Sequence, residues 1–119
     1  MLTEAEIQKL VDKIVQRMEP EKVLIFGSYA KGTATAKSDL DLFVVKDTHL
    51  PMRERSKDIS SILAGLLIRV DVHVYTPEEV EEYGNEEYSF VNSILKTGKV
   101  VYEQKRFHQS LRDCSENCS

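Results

Sequence analysis

Cysteine is nearly missing: the 119 residues hold two, Cys114 and Cys118, both at the far C-terminal end. Two late cysteines cannot build a disulfide framework. As a metal pair they would need two further ligands, so free thiols in a loose tail are the expectation. Long apolar runs are also missing. None approaches the roughly 18 residues of a membrane span, and the N-terminus lacks a signal-peptide pattern. A cytoplasmic protein with no membrane association is therefore expected. Nor is there an excess of positive charge, with 16 Lys and Arg against 20 Asp and Glu and a net charge of −4. Stable binding to a nucleic-acid backbone needs clustered cations to displace counterions, so it is not expected here. A nucleotide carried with Mg²⁺ stays compatible, because the metal masks the phosphate charge. Finally, the chain has no internal repeat and no low-complexity tract, and its length suits one core rather than two.

What remains is an ordinary globular composition, 41% hydrophobic and 30% charged, with strong local patterns. Ile7, Leu10, Val11, Ile14, Val15 and Met18 recur at helical spacing, so residues 3–18 are read as an amphipathic helix. Thr3 with Glu6 forms a capping-box signature and Pro20 ends the helix. Residues 22–26 are a continuous apolar run of strand length, as expected of a strand covered on both faces. Residues 28–31 begin a short helix that Gly32 ends, and residues 33–38 form a surface loop. Residues 39–45 read as a second strand. Met52, Ile59, Ile62, Leu63 and Leu66 predict a helix over residues 52–67, with Arg53 and Arg55 on its solvated face. Residues 68–75 alternate, placing Ile68, Val70, Val72 and Val74 on a buried face and Arg69, Asp71, His73 and Tyr75 on a polar one. Thr76, Pro77 and Glu79 start another helix. A last helix is expected from about 86 to 97, burying Phe90, Val91, Ile94 and Leu95, followed by a short extended segment at 100–102. The order predicts an α/β fold, a small mixed β-sheet with helices mainly on one face. A domain over residues 1–103 and a flexible or partner-binding tail over 104–119 complete the expectation.

One stretch carries chemistry. Gly27-Ser28 ends the first apolar run, and after ten further residues Asp39-Leu40-Asp41 opens the second. Gly27 lets a phosphate approach the backbone without a Cβ in the way. Ser28 offers a hydroxyl and an amide at a helix N-terminus, where unpaired N–H groups favour an anion. Lys31 adds a charge nearby. Asp39 and Asp41 share one strand face at a Cα spacing of roughly 6–7 Å. Without a cation such carboxylates raise one another's pKa. Mg²⁺ removes that conflict, preferring carboxylate and water oxygens and completing its shell with phosphate. Asp71, on the polar face of its own strand, is placed to join them, and three carboxylates suit a two-metal phosphoryl- or nucleotidyl-transfer site. Each piece alone is most often a turn or a cap. The combined spacing arises by chance in on the order of one in several hundred chains of this length.

Other residues carry weaker readings. His73 shares a face with Asp71 and could orient a substrate, although a structural or solvated histidine is the commoner case. His49 and His108 are expected at the surface. Tyr83, Tyr88 and Phe90 are read either as a protein-binding patch or as core.

Gly27-Ser28 followed by Asp39-x-Asp41 resembles the signature of the DNA polymerase beta-type nucleotidyltransferase superfamily. In its compact form, over roughly residues 5–103, the chain is similar to the minimal nucleotidyltransferases found beside HEPN-domain proteins. The resemblance implies a polymerase beta-like fold with Asp39, Asp41 and Asp71 as metal ligands and catalytic carboxylates. It implies Gly27, Ser28, Lys31 and Ser38 as nucleotide-binding residues. Many relatives carry Arg at the Lys31 position, so the charge is kept and the bidentate fork lost. Mg²⁺, with two ions, and ATP are the implied cofactor and substrate. The implied reaction transfers AMP to a hydroxyl with loss of pyrophosphate. The implied partner is a HEPN-type toxin, modified on a tyrosine and so neutralised. Two alternatives stay open: an antitoxin that blocks its partner by binding alone, or an enzyme for a small-molecule hydroxyl that completes its pocket as a homo-oligomer.

Overall fold

The computed structural model of the chain describes residues 2–66 and 68–104. His108, Cys114, Cys118 and nearly all of the expected tail lie outside the described residues.

Helix α1 (Glu4–Met18) forms as its periodicity demands. Thr3 Oγ1 accepts from the Glu6 amide while the Glu6 carboxylate accepts from the Thr3 amide, and Ile7, Leu10, Val11, Ile14 and Met18 are buried along one stripe. Each fully buried aliphatic side chain contributes roughly 1.5–3 kcal/mol. Strand β1 (Lys22–Phe26) follows, then α2 (Ser28–Lys31) and β2 (Leu40–Val45). A five-residue helix α3 (Ser60–Ala64), β3 (Val70–Tyr75), α4 (Pro77–Gly84), α5 (Phe90–Thr97) and β4 (Lys99–Glu103) complete the order.

The sheet is mixed, in the order β3-β2-β1-β4. β1 runs antiparallel to β2 and to β4, whereas β2 and β3 are parallel. Alternation divides its side chains between two cores. On the first face Val23, Ile25, Leu40, Leu42, Val44 and Val74 pack with α1 and Ile59, joined by residues of α2 and α3. On the second face Leu24, Phe43 and Val45 pack with Val91 and Ile94 of α5 and with Val80 and Tyr83 of α4. Three of the five helices among the described residues thus lie on the first face. The other two close the second face, which also carries the aspartates. No helix among the described residues is long and apolar enough to cross a membrane.

Two expected helices differ from what forms. In place of one helix over 52–67 there are two 3₁₀ turns, Met52–Glu54 and Lys57–Ile59, and then α3. The cause is Arg55, which points inward rather than to solvent. Its Nε donates to Leu50 O at 2.9 Å and its Nη1 to Val74 O at 3.1 Å. Its two Nη atoms meet the Glu79 carboxylate at 2.7 and 3.1 Å. The arginine is only 9% exposed, and Met52, expected inside, is turned out. The last helix likewise starts at Phe90 rather than near 86. Ser89 caps it by accepting from the Asn92 amide. Over two turns Val91 and Ile94 are the residues buried against the sheet, while Phe90 and Leu95 stay partly exposed. The extended segment at 100–102 belongs to β4, an edge strand hydrogen-bonded to β1.

Candidate active site

The parallel register of β2 and β3 sets Asp41 directly beside Asp71 and Phe43 beside His73. Because side chains alternate, Asp41, Asp71 and His73 project on the second face of the sheet, at the end where both strands begin. Asp39 lies just before β2 rather than in it, and the chain enters the sheet through the Leu40 amide, which donates to Arg69 O at 3.0 Å. The Asp41 carboxyl is pushed above its usual range, first by burial, then by the charges of Asp71 and Asp39, with His73 pulling the other way. A carboxylate in that position carries charge the fold alone does not compensate.

The phosphate-loop residues meet the carboxylates from the other side. Phe26, the last residue of β1, pairs with Asp41 in the antiparallel register. Gly27 then turns the chain into α2 with φ +75, a conformation side chains disfavour. A Cβ there would stand 2.6 Å from Asp41 Oδ2. Glycine is thus required twice at one residue, for the backbone angle and for the approach to the carboxylate. Ser28 opens α2, and Tyr29 and Ala30 fasten that helix to the first core. Gly32 closes α2 in the left-handed region, with φ +77. Lys31 and Asp39 are exposed. The Ser38 hydroxyl accepts from the Thr35 amide at 2.8 Å, holding the loop into Asp39 as a turn.

Gly27, Ser28, Asp39, Asp41 and Asp71 therefore converge where β1 ends and β2 and β3 begin. The three aspartates are near one another without being gathered, for among the described residues no cluster of three or more His, Cys, Asp and Glu side chains is drawn in tightly enough to hold an ion. Asp71 Oδ1 is instead held by Arg69 Nε at 3.1 Å, and that arginine is 73% exposed. Arg69 was visible in the sequence as a residue on the same strand face as Asp71. Phe26 was not, since an apolar residue at a strand end reads as core, and Phe90 reads either as core or as part of a protein-binding patch rather than as a neighbour of the carboxylates. The two rings meet edge to face at 5.6 Å, and both pack against His73.

Comparisons with known proteins agree with this architecture. The profile of the family described as Polymerase beta, Nucleotidyltransferase matches residues 8–107. A relative from Methanocaldococcus jannaschii, the candidate protein adenylyltransferase MJ0604, is 31% identical over 84 residues, covering 69% of this chain and 78% of its own. Among solved structures, a toxin-antitoxin crystallised with AMP-PNP aligns with a TM-score of 0.58 at 18% identity, over 92% of this chain and 93% of that one. A variant of the toxin-antitoxin MntA-HpeT aligns with a TM-score of 0.54 at 20% identity, over 98% and 94%. At such identities the structural likeness speaks for the fold. The family match spans most of the chain and takes in the Gly-Ser turn and all three aspartates: this chain belongs to the polymerase beta nucleotidyltransferase family.

Proposed function

We propose that the chain transfers AMP from ATP to a hydroxyl of a toxin partner and thereby acts as an antitoxin. The observation that carries this reading is the side-by-side setting of Asp41 and Asp71 across the parallel β2–β3 pair, hard against the Gly27 turn. Asp39, Asp41 and Asp71 would hold Mg²⁺. The donor set fits: all are carboxylate oxygens, and a divalent charge would offset the repulsion that disfavours ionised Asp41. When bound, the metal supplies charge neutralisation and polarisation of the phosphate. Gly27 and Ser28 would cradle the triphosphate through backbone amides and the serine hydroxyl, with Lys31 adding a point charge and Ser38 bordering the loop. Asp71 would accept the proton of the attacking hydroxyl on a carboxylate oxygen. The acceptor oxygen forms its bond to the α-phosphorus as the bond to the bridging oxygen breaks, and pyrophosphate leaves with that electron pair.

A protein acceptor is favoured by the name of the relative MJ0604 and by neighbours crystallised as toxin-antitoxin pairs. Within that class the acceptor we propose is a tyrosine of a HEPN-type toxin. The test is neutralisation of the protein encoded by the adjacent reading frame, with ATP and Mg²⁺, by wild type and by Asp39→Ala plus Asp41→Ala. Loss of neutralisation in the double variant, together with loss of label from the partner, supports the enzymatic reading. Neutralisation that survives the double variant would replace it with blocking by binding alone. Consumption of a small hydroxyl compound with no label on protein would move the acceptor to that class.

A further inference from the structure

Four rings line the second face next to the carboxylates. Phe90 lies 5.6 Å from Phe26, 5.2 Å from His73 and 6.5 Å from Tyr75, and Phe26 lies 5.7 Å from His73. The cluster starts where the proposed phosphate site ends. Phe26 immediately precedes Gly27 and pairs with Asp41. His73 follows Asp71 by two residues on the same face, near enough to act electrostatically on Asp41. Phe90 forms the outer layer. It is the first residue of α5, fixed by the Ser89 cap, and 46% exposed. A large ring seated on three others yet half in water is held in place without being buried. Its exposed part lies open to solvent beside the carboxylates, where a flat aromatic group could stack on it.

We propose that Phe90, backed by Phe26 and His73, is the platform on which the base of the nucleoside triphosphate stacks. This rests on the reading of the site as one of nucleotidyl transfer, and adds to it the seat of the base. The geometry favours the base over the acceptor, because the ring cluster is continuous through Phe26 with the Gly27-Ser28 turn. A triphosphate held at that turn delivers its own base to the rings. Stacking is tolerant of base identity because every base has a π-face. Purine triphosphates should therefore bind alike, and more tightly than pyrimidine triphosphates, whose smaller rings cover less of Phe90.

Calorimetric titration of ATP and of inorganic tripolyphosphate, each with Mg²⁺, into wild type, Phe90→Leu and Phe90→Tyr tests this. Leucine keeps the side chain apolar and removes the ring face, and tyrosine restores it. The Kd for ATP is expected to rise about ten-fold in Phe90→Leu and to recover in Phe90→Tyr, with the Kd for tripolyphosphate unchanged in both. An ATP Kd that is the same in wild type and Phe90→Leu, or a variant whose only defect is a higher KM for the acceptor, would overturn the platform while leaving nucleotidyl transfer intact. Failure of the wild-type protein to bind ATP at all would overturn both.

Discussion

Gly27 and Asp41 stand so close that position 27 has no room for a side chain: a Cβ there would lie 2.6 Å from Asp41 Oδ2. The same residue holds φ +75. Gly27→Ala therefore forces either the backbone or the carboxylate to move. It should cost about 1–3 kcal/mol of stability, from the strained angle and the clash together. Activity should fall much further than that loss of folded protein explains, because the group displaced is one that would hold the metal. Denaturant melts alongside transfer rates at a temperature where the variant is folded check this. The contrast with Gly32 is informative. It has a similar angle but nothing within 4 Å of its added Cβ, so Gly32→Ala should show the strain without the disproportionate loss of activity.

Asp41 should be more useful to the reaction than to the fold. Burial and the neighbouring Asp71 both disfavour its ionised form. Replacing it with the neutral isostere, Asp41→Asn, removes that conflict. In the absence of divalent ions the Tm should rise by about 2–6 °C, as at other sites where function and stability pull apart. Adding Mg²⁺ should then raise the Tm of the wild type more than that of the variant, since ligand binding stabilises only the form that binds. Thermal melts with and without Mg²⁺ measure both differences.

Away from the site, the Arg55–Glu79 pair ties the 3₁₀ segment to the start of α4. Arg55 is 9% exposed and Glu79 26%. Arg55→Leu leaves the Glu79 carboxylate without its guanidinium partner and should cost about 2–4 kcal/mol at pH 7. The pH dependence has a definite sign. The hydrogen bond from Arg55 holds the Glu79 carboxyl below its ordinary value of 4.5, against the effect of burial and with help from the Thr76 amide. A carboxyl depressed in the folded state contributes its stability above the unfolded value and loses it as pH falls through the folded one. The stability gap between wild type and Glu79→Gln should accordingly be full above about pH 4.5 and close at more acid pH. Urea melts across that range follow it.

How far the sequence foretold this molecule depends on how local each signal was. Gly27, Ser28, Asp39 and Asp41 sit in one stretch, so their types and spacing are legible before any fold is known. Asp71 is distant in the chain, but the alternation of Val70, Val72 and Val74 around it fixed its strand and face, and the parallel register then set it opposite Asp41. The helix over 52–67 failed for the opposite reason. Its apolar spacing was real at Ile59 and Ile62, but the segment is shaped by an arginine turned inward to a glutamate 24 residues away, which no local period encodes. Phe90 failed similarly. Helical spacing assigned it to the core, whereas α5 is too short to bury more than Val91 and Ile94.

The central claim is that Asp39, Asp41 and Asp71 direct attack on the α-phosphate of ATP. Its most direct test uses ATP labelled at the α- or the γ-phosphate, with Mg²⁺ and the adjacent-gene partner, in wild type and Asp71→Asn. The account predicts α-label on a partner tyrosine, one pyrophosphate released per label, no γ-label transferred, and loss of transfer in a folded Asp71→Asn. Transfer of the γ-label, or wild-type rates from Asp71→Asn, would contradict it.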